Sequence, residues 1–237
     1  MQQFVKMGFY KKIFLIGISF VLMYSADALS QNKISWDSTS RPAVYSPLVG
    51  QFRAFPPGKK DIVFLGNSIT FWGDWGERFK KLKIKNQGIP GDITFGVLDR
   101  IHEVISGKPS KVFILIGIND IARHIPDSVI IRNYIRIIDR IRAGSPATKI
   151  FFQTLLPTNA SFHALTSHYH KEKDILEINA ALRKIASEKK IGLIDLYAHF
   201  ADASGNLIKD YSWDGVHLTQ KGYAQWVKIL KEGHYLK

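Results

Sequence analysis

Short apolar runs alternate along the chain with longer stretches in which apolar residues recur every three or four positions. The short runs are rich in β-branched and aromatic residues, which is typical of buried parallel strands. They are Asp61–Leu65, Lys111–Ile116, Lys149–Thr154 and Gly192–Leu196, with a weaker one around Ile84–Asn86. Strands that alternate with helices predict a parallel sheet covered on both faces, and sites then gather beyond the carboxyl ends of its strands.

Three longer stretches have the periodicity of amphipathic helices. They are Ser128–Ala143, Asp174–Glu188 and Thr219–Leu230. In the first, the apolar face consists of Ile131, Tyr134, Ile135, Ile138 and Ile141. We expect Asp127 or Ser128 to cap the start of this helix and Gly144 to end it.

The first thirty residues have the layout of a secretory signal peptide, with a basic start, a short apolar run and small residues after it. These are Lys6, Lys11 and Lys12, the run Ile13–Met23, and then Ser25, Ala26 and Ala28. The run is shorter than the ~20 apolar residues that span a bilayer, and no later segment is long enough. We therefore expect residues 1–28 to be removed, no membrane span to remain, and the protein to be periplasmic or secreted.

We expect residues 29–60 to form an irregular lead-in segment, because four prolines interrupt any regular element between Asp37 and Lys60. They are Pro42, Pro47, Pro56 and Pro57. Residues 61–237 then form one domain of ordinary size, and 46% of the chain is hydrophobic, which suffices for a single core.

The composition limits the partners of this domain. There is no cysteine, so neither disulfides nor an acylated-cysteine anchor is available. The net charge is +13, of which residues 1–30 contribute two charges, so +11 remains to favour anionic partners. The basic residues are scattered, and Arg132, Arg136, Arg140 and Arg142 fall on a predicted amphipathic helix, which indicates a solvated face. We expect no nucleic-acid partner, and the oligomeric state stays open.

A serine follows the first clear strand, in Gly66-Asn67-Ser68. A serine on a turn between strand and helix presents its hydroxyl at the sheet edge, where the helix start helps to stabilise negative charge. Near the other end of the chain, Asp214 and His217 are three residues apart. His217 is a candidate base for a serine hydroxyl if a carboxylate holds its other ring nitrogen. Taken singly, the first pattern more often marks an ordinary turn serine. The second also fits an aspartate that caps the helix beginning near Thr219.

Two more segments follow strands and offer hydrogen-bond donors. Gly91 follows the weak strand, and Asn119 follows the strongest one. Acyl transfer develops an oxyanion, which a glycine N–H and an asparagine amide are able to bind. As isolated residues, a turn glycine and a helix cap are the ordinary interpretation.

Together the four segments resemble the blocks of the GDSL-like, or SGNH, hydrolase superfamily. Its Ser, Gly, Asn and His appear in order as Ser68, Gly91, Asn119 and His217, and the match extends from about residue 61 to residue 223. The resemblance implies a flavodoxin-like three-layer α/β/α sandwich with a parallel sheet of about five strands. It also implies ester hydrolysis without a metal or other cofactor. The chain has Asn67 where the family usually has Asp, which changes the electrostatics of the loop more than its hydrogen bonding.

The resemblance further implies a role for each residue. Ser68 attacks the carbonyl and forms an acyl-enzyme, His217 acts as base and then as acid, and Asp214 orients His217. The backbone N–H groups of Ser68 and Gly91 and the side chain of Asn119 share the oxyanion.

Aromatic residues near these positions bear on the substrate. We expect Trp75 in the core, whereas Trp72 and Trp213 are candidates to stack on a sugar ring or line an acyl pocket. The chain resembles exported carbohydrate O-acetylesterases, so an acetyl or other small acyl ester on a glycan is the leading substrate. The alternatives are a lysophospholipase or short-chain lipid esterase, and a non-catalytic module that binds glycan or nucleic acid.

Three histidines cluster after Pro157, at His163, His168 and His170. Without cysteine or an evident carboxylate partner, we expect a solvent-exposed loop rather than a metal site. The alternative is a loop that borders the active site.

Overall fold

The computed structural model describes residues 36–236, so the predicted signal peptide lies outside the described residues. A parallel sheet has the strand order β2-β1-β3-β4-β5. The strands are β1 (Ile62–Gly66), β2 (Ile84–Gly88), β3 (Lys111–Leu115), β4 (Lys149–Gln153) and β5 (Gly192–Ile194). This is the flavodoxin-like order, and it confirms the predicted fold class.

The helices connect and cover these strands. They are α1 (Tyr45–Ala54), α2 (Ser68–Phe71), α3 (Trp75–Arg78), α4 (Thr94–Asp99), α5 (Ile101–Ile105), α6 (Ile118–Ala122), α7 (Asp127–Gly144), α8 (Glu172–Glu188), α9 (Tyr197–Phe200) and α10 (Gln220–Glu232). Short 3₁₀ turns occur at Ala160–Phe162, Thr166–His168 and Lys209–Tyr211. Within residues 36–236, no helix is long and apolar enough to cross a membrane.

Aromatic side chains show that helices cover both faces of the sheet. Phe64, Phe113 and Phe151 are paired neighbours on β1, β3 and β4, and their rings stack in a row with centroids 5.1 and 4.8 Å apart. Trp75 of α3 stacks on Phe64 at 4.2 Å. The adjacent residue Phe152 faces the other way, because side chains alternate along a strand, and it contacts Tyr134 of α7. Two helical layers therefore enclose the sheet.

The lead-in segment contains a helix, so the prediction that residues 29–60 are irregular was wrong for α1. Pro47 is the third residue of α1. At that position a helix has no internal acceptor for the N–H that proline lacks, so proline is tolerated. Pro56 and Pro57 follow the end of the helix. Phe52 is the buried residue of α1 and packs beside Arg100, whose guanidinium lies 5.6 Å from the ring centroid.

The start of α7 also differs from the prediction. The N-cap residue is Pro126, and no side chain makes a capping hydrogen bond, so neither Asp127 nor Ser128 caps the helix. The buried face of α7 includes Ile130 and Ile137, which the periodicity did not single out. Its residues are Val129, Ile130, Asn133, Tyr134, Ile137, Ile138 and Ile141, whereas Ile131 and Ile135 are only half-buried. The predicted and observed faces share Tyr134, Ile138 and Ile141, and the observed face extends toward Ile130 and Ile137.

Gly88 sets how closely α2 approaches the end of β2. A Cβ at this position would lie 2.3 Å from the backbone nitrogen of Phe71 and 2.7 Å from the carbonyl oxygen of Asn67. We expect Gly88→Ala to lower the free energy of unfolding by about 1–3 kcal/mol or more, as overpacking does. Urea denaturation measures this. Gly50→Ala is the matched control, since nothing lies within 4 Å of a Cβ added there. Alanine also has a higher helix propensity than glycine, and Gly50 lies within helix α1. Equal stability of both variants would contradict the expectation.

Candidate active site

Ser68 lies just beyond the carboxyl end of the first strand, β1. β1 ends at Gly66, and Ser68 is the first residue of α2, where the helix offers no acceptor for its N–H. The side chain of Asn67 accepts the backbone N–H of Ile69 at 3.0 Å and thereby caps α2. An aspartate at this position would accept the same bond, so Asn67 caps α2 as an aspartate would.

Ser68, His217 and Asp214 form a continuous line of hydrogen bonds. Asp214 Oδ2 lies 2.6 Å from His217 Nδ1, and His217 Nε2 lies 2.8 Å from Ser68 Oγ. A carboxylate only accepts, so Nδ1 carries the proton in the neutral ring and Nε2 accepts from the serine hydroxyl. This arrangement suits removal of the serine proton. The catalytic roles themselves stay a prediction.

The loop around Asp214 holds the carboxylate in place. Asp214 Oδ1 accepts the backbone N–H groups of Val216 at 2.9 Å and His217 at 2.7 Å. Asp214 does not cap the last helix. Thr219 is the N-cap of α10, and its hydroxyl accepts the N–H of Gly222 at 3.3 Å. The carboxylate of Asp214 is thus available to the imidazole ring.

Gly91 and Asn119 lie beyond the carboxyl ends of β2 and β3. Gly91 has φ +77°, a left-handed conformation that favours glycine, and Arg123 Nη2 donates to its carbonyl at 3.1 Å. Asn119 is the second residue of α6, not its N-cap, which is Gly117. The Asn119 Nδ2 group donates to the carbonyl of Asp92 at 2.9 Å. The segment that carries Gly91 and the helix that carries Asn119 are therefore directly bonded.

A buried ion pair supports these segments. Asp92 Oδ2 accepts from Arg100 Nε at 3.0 Å, and both side chains are 0% exposed. Arg100 also donates through Nη2 to the carbonyl of Gly66 at 3.1 Å. Burial raises the pKa of Asp92, and Arg100 offsets part of that rise. The sequence did not single out this pair, because nothing local joins an arginine at position 100 to the end of β1.

A second buried carboxyl lies next to Asn119. The two oxygens of Asp120 accept the backbone N–H of Thr94 at 3.0 and 3.1 Å, and Oδ1 also accepts the Thr94 hydroxyl at 2.6 Å. Burial raises the pKa of Asp120 to about 7, although the bonds from Thr94 act in the opposite direction. Asp120 therefore joins α6 to the start of α4.

The three histidines after Pro157 have different environments. His163 and His170 are exposed, as predicted, but the expectation of an exposed loop was wrong for His168. His168 is half-buried, and its Nε2 lies 3.0 Å from Asn119 Oδ1. Burial, and next the neighbouring His217, lower the pKa of His168. Within residues 36–236, no three His, Cys, Asp or Glu side chains are grouped to hold a metal ion.

The three tryptophans near the site differ in exposure. Trp75 lies in the core, as predicted, whereas Trp72 and Trp213 do not. Trp75 is 1% exposed and belongs to the core. Trp72 and Trp213 are 56% and 60% exposed, so neither is a core residue. The Trp213 ring stacks on the imidazole of His217 with centroids 5.3 Å apart. Two exposed aromatic surfaces thus flank Ser68 and His217 in the chain.

The fold and the site define an α/β/α protein with a serine, a histidine and a carboxylate aligned beyond the ends of its parallel strands. The chain belongs to the GDSL-like lipase/acylhydrolase family, whose model matches residues 64–225. This confirms the family resemblance of the four sequence blocks and places the chain among the carboxylic ester hydrolases.

The names of similar proteins are consistent with an acylhydrolase family. The chain is 29% identical over 179 residues to platelet-activating factor acetylhydrolase IB subunit alpha2 of Rattus norvegicus, covering 73% of this chain and 75% of that protein. The Homo sapiens protein of the same name shows the same identity and coverage.

Solved structures agree on the fold. A Streptococcus pneumonia protein named after platelet activating factor is 26% identical with a TM-score of 0.74, covering 94% of this chain and 99% of its own. A GDSL-like lipase from Bacteroides thetaiotaomicron is 24% identical with a TM-score of 0.71, covering 80% and 96%, and supports the fold alone.

The buried ion pair yields a stability prediction. We expect Arg100→Met to lower the free energy of unfolding by about 3–5 kcal/mol, because it leaves the Asp92 carboxylate buried without its partner. Chemical denaturation measures the change. The double variant with Asp92→Asn removes both charges, and we expect it to recover part of the loss. A single variant as stable as the wild type would show that the pair is not needed.

Proposed function

We propose that the protein hydrolyses small acyl esters, in particular acetyl esters, with Ser68 as nucleophile, His217 as general base and Asp214 as its orienting carboxylate. The observation that carries this proposal is the unbroken line of hydrogen bonds, 2.6 and 2.8 Å long, from Asp214 through His217 to Ser68. Membership of an acylhydrolase family supports it.

In the proposed reaction, His217 Nε2 takes the proton of Ser68 as Oγ attacks the ester carbonyl. The developing oxyanion is bound by the N–H groups of Ser68 and Gly91 and by the Asn119 amide. His217 then returns the proton to the leaving alcohol, and an acyl-Ser68 remains. Water, activated by the same imidazole, releases the carboxylic acid and restores the serine.

The names of the relatives support a short acyl group, because the rat and human proteins are both named as acetylhydrolases.

For the alcohol, we propose a carbohydrate. The exposed rings of Trp72 and Trp213 support this, since sugar rings stack on exposed aromatic faces. The second candidate is a lipid ester, which the relatives named after platelet-activating factor favour. We also propose that the protein is exported, on the strength of the signal-peptide layout of residues 1–28.

Removal of the nucleophile tests the reaction. We expect the mature protein to hydrolyse p-nitrophenyl acetate, and Ser68→Ala to lower kcat by ~10³-fold or more, as loss of a triad nucleophile does. A chelator should leave the wild-type rate unchanged, and p-nitrophenyl hexanoate should react more slowly than the acetate. If wild type and Ser68→Ala are equally inactive on all esters, the enzyme proposal fails and a binding module takes its place.

A substrate comparison tests the alcohol. We expect Trp72→Ala to raise KM for an acetylated oligosaccharide several-fold, with little effect on p-nitrophenyl acetate, because only the glycan uses the ring. Phe55→Ala is the matched control: Phe55 is 68% exposed and lies by Lys85, near the amino end of β2 and away from the site. Faster turnover of a short-chain acyl lipid than of any acetylated glycan would favour the lipid candidate.

A further inference from the structure

We propose that His168 is a positioning residue that orients the Asn119 amide as an oxyanion donor. The inference rests on the proposed function, because it concerns how one of its hydrogen-bond donors is held. Asn119 Oδ1 lies 3.0 Å from His168 Nε2, and Asn119 Nδ2 lies 2.9 Å from the carbonyl oxygen of Asp92.

These two bonds determine the positions of the oxygen and the nitrogen in the Asn119 amide. The carbonyl of Asp92 only accepts, so the atom facing it is the amide nitrogen of Asn119. The oxygen of the amide then faces His168. Because that oxygen also only accepts, His168 Nε2 must carry a proton and donate it.

The surroundings of His168 agree with that tautomer. The other ring nitrogen, Nδ1, lies 3.1 Å from the hydroxyl of Ser167, which is able to donate to it. Burial and the neighbouring His217 lower the pKa of His168, so the ring is neutral at neutral pH. A neutral ring has one donor and one acceptor, and both have a partner here.

The consequence concerns the second N–H of the Asn119 amide. A primary amide is planar, and this one is bonded at its oxygen and at one of its two N–H groups. Rotation of the side chain would break one bond or the other, so the remaining N–H has a single direction. A donor held in advance stabilises a developing oxyanion without rearranging during the reaction.

The segment that carries His168 is itself bonded to the loop of the proposed triad. The next residue, Tyr169, is buried, and its hydroxyl donates to the carbonyl of Asp214. The same hydroxyl accepts the backbone N–H groups of Ala164 at 3.2 Å and Leu165 at 3.0 Å. His168 is therefore held relative to the residues that orient His217.

Four variants test the role of His168 with p-nitrophenyl acetate. They are His168→Ala, His168→Gln, Asn119→Ala and the double variant His168→Ala with Asn119→Ala. Glutamine carries an amide nitrogen as many bonds from the backbone as the Nε2 of histidine, so it restores the donor. His170→Asn is the control, because His170 is exposed and asparagine tolerates its left-handed backbone, with φ +57°.

We expect Asn119→Ala to lower kcat by ~10²–10³-fold, as removal of an oxyanion donor does. His168→Ala should lower kcat about tenfold with little change in KM, since the orientation of a donor contributes less than the donor itself. His168→Gln should recover most of that loss, and His170→Asn should leave the rate unchanged. In the Asn119→Ala background, His168→Ala should cost nothing further. Losses that simply multiply in the double variant would overturn the inference, because His168 would then act independently of Asn119.

A measurement without turnover separates this inference from the proposed function. Nitrogen-15 NMR of the free protein reports the tautomer of His168, and we expect the proton on Nε2. If the wild type and every variant lack esterase activity, the proposed function fails. The spectrum then still tests the hydrogen bond from His168 Nε2 to Asn119 Oδ1. A proton on Nδ1 would overturn the inference even in an active enzyme.

Discussion

A buried ion pair between Asp92 and Arg100 is the interaction on which the site depends. It joins three neighbouring strand ends: Asp92 follows β2, Arg100 donates to Gly66 at the end of β1, and the Asp92 carbonyl accepts from Asn119 after β3. A charged pair that is fully buried must keep its partners, since either charge alone would be strongly destabilising. The relative positions of the Ser68 turn, the Gly91 segment and Asn119 are therefore set by one polar cluster.

Around this cluster the same physical requirement recurs: polar groups that leave water must find partners. Asp120 is satisfied by Thr94, and the Asn119 amide by Asp92 and His168. Each bond that satisfies a buried group also removes a degree of freedom from the site. The support of the structure and the preorganisation of the proposed oxyanion donors are thus the same set of hydrogen bonds.

The sequence predicted well what depends on local pattern. The strands follow from short β-branched runs, and their limits differ from the prediction by only one or two residues, as at β1 and β3. Helix α1 departs from the prediction because Pro47 lies in its first turn, where proline is tolerated and does not break the helix. His168 departs from the predicted exposed loop because it contacts Asn119 of α6, 49 residues earlier in the chain, which no local pattern indicates.

The five strands, the helices α7, α8 and α10 and the four blocks that mark the family follow from the amino-acid sequence alone, because periodicity and motif spacing are local properties. The sequence also supplied Ser68, Gly91, Asn119 and His217 as candidates. Tertiary contacts direct the Asp214 carboxylate toward the imidazole rather than α10, join Arg100 to both Asp92 and β1, and bring His168 within hydrogen-bond distance of the Asn119 amide. Those contacts join residues that are distant in the chain or depend on how a loop turns, and no local pattern specifies them.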